Sequence, residues 1–415
     1  MSNFADCMSK FAILIIEMCL AGAIGSAFFM KGNAQMAVGI CGIVIFLLFN
    51  MCLCCFWKQV KVAIAVIDAT ADFFAATKRI ILVSVFYFFV TLVFLVLWFS
   101  AVGCIMSLNG ITSSSTEVQG KIIVWDYNVF YFLGFMVVGL IWVVFWIQDK
   151  TGFICMVSAS TYYFSSNKDK EGSASVSTGF KFAYFKHAGS LAFGSAIHTF
   201  VTILRILVEQ AADNVERGGD NAAVKVLACC ARCMVRCFEN LVEYLNRIAY
   251  AYMAVSGDSY CTSAWNGFLL NLKHNAKFSF GNLLASMFIF MGKVMITCAN
   301  CATCYIIIKY INKNEGALSS IWAPVGLIGV STFITATIFL GLFDEATLAT
   351  LHCLAIDMDL NQGKPVYGPP TFHEKISRIY GPETKVVQYQ QVHTEQQAYI
   401  APSAGNINSG PNNMV

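Results

Sequence analysis

Cys237-Phe-Glu-Asn-Leu-Val-Glu-Tyr-Leu-Asn-Arg-Ile-Ala-Tyr250, followed after a short gap by Cys261-Thr-Ser-Ala-Trp-Asn-Gly-Phe268, stands apart from the rest of the chain. Most other long stretches are apolar enough to dissolve in lipid; this one is not. Phe238, Leu241, Val242, Leu245, Ile248 and Ala249 recur at helical spacing. Glu239, Asn240, Glu243, Asn246 and Arg247 fill the other face. Glu243 precedes Arg247 by one turn, the favourable order on a helix. A helix divided in this way needs lipid or protein on one side and water or polar groups on the other. Periodicity alone therefore reads it as a helix at a membrane boundary.

The composition agrees with a membrane setting. Of 415 residues, 57% are hydrophobic and 12% charged, where a soluble domain carries about 25% charged residues. Mean hydropathy is +0.64. The net charge of +3 and the lack of a basic stripe interleaved with aromatics give no footprint for nucleic acid. The 17 cysteines lie mostly inside apolar runs or beside basic loops, so reduced thiols are the expectation, with S-acylation at the membrane edge as an alternative. Cys298, Cys301 and Cys304 have metal-like spacing but sit in a run that reads as a lipid-buried helix, where small residues serve helix packing. No metal or other cofactor is expected. No His-Glu-x-x-His, Gly-x-Ser-x-Gly or nucleotide-binding glycine loop occurs, so an enzyme or an ATP-driven pump is not expected.

The expected fold is all-α, a polytopic helical membrane protein of about eight transmembrane helices with amphipathic helices on its cytosolic face. Residues 1–10 read as a polar lead, 11–360 as the transmembrane domain and 361–415, rich in Pro, Gln and Asn, as a disordered cytosolic tail. The crossings fall at 11–30, 35–57, 80–106, 127–164, 187–210, 226–245, 281–308 and from 324 onward, the last continuing as helix to about 360. Residues 58–79 are amphipathic and read as a cytosolic interfacial helix. Residues 107–126 read as a polar outer loop. The segment 127–164 would be about 57 Å long as one helix, nearly twice the ~30 Å hydrocarbon core. Gln148-Asp149-Lys150-Thr151-Gly152 in its middle either breaks it into two short spans or places a charge in a wet cavity. Lys58, Lys61, Lys78, Arg79, Lys168 and Lys181 fall on one side of this scheme and fewer basic residues on the other, which puts both termini in the cytosol.

The quoted stretch resembles the signature region of the choline transporter-like family. Cys237, Glu239, Leu245, Asn246, Arg247, Ala249, Tyr250, Cys261, Ser263, Ala264, Asn266 and Phe268 match that pattern in frame. His187-Ala-Gly-Ser-Leu-Ala-Phe-Gly-Ser195 matches a second motif. Phe290, Gly292 and Lys293 match a third, and Cys353, Asp357, Asn361 and Gly363 a fourth. Asn240 and Glu243 stand where the family pattern has basic residues, so this face is more acidic. The charged pair Asp149-Lys150 is also a departure. The resemblance runs from about 11 to 363. Relative to the family, the usual first N-terminal spans and the large outer loop between them do not appear here. The resemblance implies movement of choline, or of ethanolamine, by facilitated diffusion or proton exchange at the plasma membrane. The competing expectations are a non-transporting scaffold and a channel for another small cation.

A trimethylammonium head offers no hydrogen-bond donors, so a site for it needs aromatic faces, each worth ~0.5–2 kcal/mol, and a nearby carboxylate. Trp142, Trp146 and Asp149 are the candidates to bind substrate, because the two indoles lie four apart just before the acid. For each tryptophan alone, packing or interfacial anchoring is the alternative. Arg205 and Glu209, at the far end of the fifth crossing, are candidates for an outer gate, with a structural ion pair as the alternative. Asn246, Arg247 and Tyr250 are candidates for an inner gate, with helix anchoring as the alternative. His198, mid-span, could carry protons or simply pack. Tyr389-Gln-Gln-Val392 fits a short signal for an endocytic adaptor.

Overall fold

The computed structural model describes residues 17–18, 42–44, 46–47, 50–51, 54–55, 57–113, 121–124, 126–218, 222–315 and 322–380. The polar lead, most of the 11–30 and 35–57 crossings, the Tyr389 signal and the chain beyond 380 lie outside the described residues. Helix α1 is Trp57–Ala76 and α2 Arg79–Met106; strands β1 Gly110–Ser113 and β2 Lys121–Val124 follow. Then come α3 Tyr127–Ser165, the short α4 Val176–Lys181, a π-turn Phe182–Lys186, α5 Ala188–Gly218 and α6 Ala222–Ser256. The described chain ends with α7 Tyr260–Lys273, α8 Asn275–Glu315, α9 Trp322–Leu360 and α10 Pro370–Tyr380. Within 107–126, β1 and β2 pair antiparallel with Gly110 opposite Val124. This hairpin is a local exception to an otherwise helical chain.

Among the described residues, five helices are long and apolar enough to cross a membrane: α2, α3, α5, α8 and α9. The protein is a multi-pass helical membrane protein. Helix α3 runs unbroken for 39 residues, so Gln148–Gly152 is not a loop between short spans. Asp126 caps its start by accepting from Asn128 N at 3.1 Å. The excess length is absorbed by a change of surroundings. Phe130, Tyr131 and Phe135 are exposed, whereas Phe153, Ile154, Met156 and Tyr163 are buried in protein. Helix α9 divides in the same way, with Leu327 and Val330 exposed and Leu348, Leu351 and Leu354 buried. Each helix thus has one half that presents apolar side chains outward and a second half inside a packed helical layer.

That layer contains α1. The amphipathic pattern of 58–79 reads as an interfacial helix, but Val60, Val62, Ala65, Val66 and Phe73 are all buried. Helices α8, α9 and α10 pack on α1, so its apolar side chains are covered by protein. The chain after 360 is also ordered further than its composition implies. Asp357 accepts from the backbone N–H of Val366 and of Tyr367, each at 3.0 Å, and from the Tyr163 hydroxyl at 3.1 Å. The turn passes through Gly363 at φ 87°, a conformation open to glycine. Pro370 then opens α10, a position where its missing N–H costs nothing. Phe372 is fully buried, Lys375 pairs with Asp68 and Thr371 hydrogen-bonds Asp72. Residues 370–380 are therefore helix docked on α1 rather than disordered tail.

Helix α6, which includes the expected crossing 226–245, is not among the five apolar helices. Its polarity is arranged inside out. Val226, Leu227, Met234, Phe238 and Leu241 are exposed. Arg232, Arg236 and Glu239 pair with acids and an arginine of α5.

Candidate functional site

The two halves of α3 and α9 meet at charged residues. About 33 Å of helix separates Tyr127 from Asp149, and about 35 Å separates Trp322 from Glu345, at 1.5 Å per residue. Both match the ~30 Å hydrocarbon core, so the acids sit where lipid-facing helix becomes protein-packed helix. There α3, α5, α6 and α9 enclose a cavity of about 140 Å³. Phe145, Gln148, Asp149, Phe153 and Met156 line it from α3, His198 from α5, Glu243, Asn246, Arg247 and Tyr250 from α6, and Glu345 from α9.

Arg247 joins α6 to α9, its guanidinium 2.5 Å from Asp344 Oδ2 and 3.1 Å from Glu345 Oε1. Tyr250 joins α6 to α3 by donating to Asp149 Oδ2 at 2.9 Å. Asn246 joins α6 to α5 by donating to the Gly194 carbonyl at 3.0 Å. Gly194 has a physical reason to be glycine: a β-carbon there would fall 2.1 Å from the Tyr250 hydroxyl. Gly152 likewise leaves room for Glu345, whose Cγ would lie 3.4 Å from an added β-carbon. Tyr260 of α7 donates to Asn246 Oδ1. Burial first and then the Asp149 carboxylate push the Tyr260 phenol up to about 12, so it remains a donor. Glu345 Oε2 is buried without a partner among the described residues. The cluster gathers the carboxyl groups of Asp149, Glu243, Asp344 and Glu345 around the Arg247 guanidinium, beside an aromatic wall of Phe145, Phe153 and Tyr250.

Of the three candidate binding residues, Asp149 alone lines this cavity. Trp146 is not in the cavity lining and carries the Lys150 ammonium 3.5 Å from its ring centre, with the Tyr184 ring centre 4.4 Å from that ammonium. Lys150 thus satisfies internally the aromatic face expected for a ligand. Trp142 is exposed and donates to the Ala192 carbonyl at 3.2 Å. Adjacent positions on a helix diverge by about 100°, so Asp149 and Lys150 face different neighbours. Of the gate candidates, Asn246, Arg247 and Tyr250 all converge on the cavity. Arg205 and Glu209 do not reach it. They form a ladder between α5 and α6: Arg205 with Glu209 at 3.2 Å and Glu239 at 2.5 Å, Arg236 with Glu209 at 2.7 Å, and Arg232 with Asp213 and Glu216.

Sequence reasoning missed Glu345, Glu243 and Gln148 as cavity groups and Asp344 as the partner of Arg247. The signal for Asp344-Glu345 was present, an acidic pair in the middle of a long apolar run, of the same kind as Asp149-Lys150. His198 stacks on Phe145 at 4.1 Å between ring centres, which places it in the wall. Cys301 Sγ approaches the Val325 carbonyl, a contact between packed helices.

Residues 40–359 match the family described as plasma-membrane choline transporter. The chain is 24% identical over 355 residues to choline transporter-like protein 3 of Homo sapiens, covering 84% of this chain and 52% of that protein. It is 25% identical to choline transporter-like protein 4 of Rattus norvegicus over 60% of this chain and 36% of that protein. It is 29% identical to choline transporter-like protein 2 of Xenopus laevis over 43% of this chain and 25% of that protein. The chain spans about half the length of the first of these relatives and less of the others.

Proposed function

The chain belongs to the plasma-membrane choline transporter family, and on that premise we propose that it moves choline or a related amine such as ethanolamine across the membrane, by facilitated diffusion or proton exchange. The observation that carries this reading is the acid-rich, aromatic-walled cavity at the meeting of α3, α5, α6 and α9. In this reading Asp149 is the counter-charge to the ammonium, and Phe145, Phe153 and Tyr250 supply ring faces. Intramembrane ionisable groups are costly and are retained where they are paired or serve a pathway. Arg247, held by Asp344 and Glu345, closes the cytosolic side. The Arg205–Glu209 ladder closes the outer side. Glu239, Glu243 and Arg247 recur one turn apart along α6, a polar line from ladder to cavity along which a cation passes when the pairs exchange. The distribution of Lys and Arg supports a cytosolic placement of both termini at the plasma membrane, with the Tyr389 stretch available to an endocytic adaptor.

The test is uptake of labelled choline into proteoliposomes containing the purified chain, with and without a pH gradient. Saturable uptake is expected, and its response to the gradient separates uniport from proton exchange. Asp149→Asn is expected to lower uptake at least tenfold with insertion unchanged, because the amide still accepts from Tyr250 but carries no charge. Equal uptake by the wild type and Asp149→Asn would remove the assigned role of Asp149. No uptake by folded, inserted protein would shift the reading to another substrate or a scaffold.

A further inference from the structure

A second cavity, of about 690 Å³, lies away from the charged site as a groove between α2, α8 and α9. Its bed is Ala336, Leu340 and Phe343; Phe74 and Ile81 stand at one end and Ser331 at the other. Along α9 the groove extends from Ser331 to Phe343, about 18 Å at 1.5 Å per residue. That is close to the depth of one leaflet of a ~30 Å hydrocarbon core. The wall is apolar, and the deep end is already satisfied, since Asn300 donates to Thr332 Oγ1 at 2.6 Å. A groove of this length and lining fits an acyl chain aligned with the helices.

The end at Phe74 and Ile81 is where α1 hands over to α2, and there the chain carries Lys78 and Arg79. Both are exposed, and neither makes an ion pair among the described residues. The acids nearest in sequence are engaged elsewhere: Asp72 accepts from Thr371 and Asp68 pairs with Lys375. Lys78 and Arg79 fall between the lining residues Phe74 and Ile81 in the chain, and a basic pair beside a leaflet-deep apolar groove complements one molecule in both its parts. We propose that the groove is a binding site for a single anionic phospholipid, its headgroup on Lys78 and Arg79 and one acyl chain along α9. Juxtamembrane Lys and Arg attract anionic headgroups of the cytoplasmic leaflet, and the groove converts that attraction into a fixed position.

The site has a route to the cavity. Phe343 stacks on Phe74 and on Phe288, each at 5.6 Å between ring centres, and the next residues along α9 are the Asp344 and Glu345 that hold Arg247. A lipid filling the groove buttresses the stretch of α9 that presents these two acids. The inference requires only that the chain is embedded in a membrane; it does not depend on which substrate is carried.

The experiment compares full-length protein in nanodiscs of phosphatidylcholine alone and of phosphatidylcholine with phosphatidylserine, read by thermal unfolding and by native mass spectrometry of retained lipid. The expected result is a raised Tm with phosphatidylserine and one retained phosphatidylserine per chain. The Lys78→Gln/Arg79→Gln variant should lose both while keeping the wild-type Tm in phosphatidylcholine. Thr335→Phe, which fills the groove from an exposed position, should lose the retained lipid with the basic pair intact. Equal retention of the two lipids, or an undiminished phosphatidylserine effect in the double variant, would overturn the proposal. Loss of retention in Lys78→Gln/Arg79→Gln but not in Thr335→Phe would reduce it to headgroup attraction at the surface, and so would also overturn it.

Discussion

The two halves of α3 both carry large apolar side chains and meet different fates. Tyr127–Trp146 exposes Phe130, Tyr131 and Phe135, while Ile147–Tyr163 buries Phe153, Ile154, Met156 and Tyr163 among α1, α4, α9 and the π-turn. A hydrophobic run says only that water is excluded. Lipid and protein both meet that demand, and they differ in what they tolerate. Lipid adapts to a changed side chain, whereas a close-packed interior does not. The boundary between the halves is where the charged cavity sits, because only there can protein groups solvate Asp149 beside a lipid-facing surface.

Truncating the same residue type on each side sharpens this contrast. Phe153→Ala, at a fully buried position in contact with the His187 ring, is expected to cost about 3–5 kcal/mol, seen as a large fall in Tm in detergent. Arg247→Met comes next. It leaves Asp344 and Glu345 without their half-buried cation, a loss of about 1–3 kcal/mol, between that of an exposed and a buried pair, and uptake should vanish with it. Glu243→Lys places a basic residue in the cavity wall where the family pattern has one. It is expected to lower cation uptake severalfold with Tm within a few degrees, measured as a rise in KM for choline. Phe135→Ala, on the exposed half, should shift stability by less than about 0.5 kcal/mol, as for other surface positions. A fall in Tm for Phe135→Ala as large as that for Phe153→Ala would mean that the outer half of α3 also packs on protein.

Much of the architecture was readable from residue order. Unbroken apolar runs located α2, α3, α5, α8 and α9, and the in-frame matches around Asn246, Arg247 and Tyr250 pointed to the helix that the cavity is built on. The intramembrane position of Asp149 marked it before any contact was known. Other features were hidden for identifiable reasons. Residue order does not show that the arginines of α6 turn onto α5 while Val226, Leu227 and Met234 face outward. Proline content misjudges 370–380 because the docking groups, Asp68, Asp72 and Tyr163, lie hundreds of residues earlier. Trp142 and Trp146 share a face in sequence, but the Lys150 ammonium takes the Trp146 ring.

Residue order was enough to establish that the chain is helical, lies in a membrane and carries a charge inside a run too long for the bilayer, because periodicity and the cost of burying polar groups act locally. Tertiary structure alone decided which charges meet. Glu345 reaches Arg247 across 98 positions of sequence and Asp149 reaches Tyr250 across 101, and pairing over such separations is set by how helices pack, not by any run of residues.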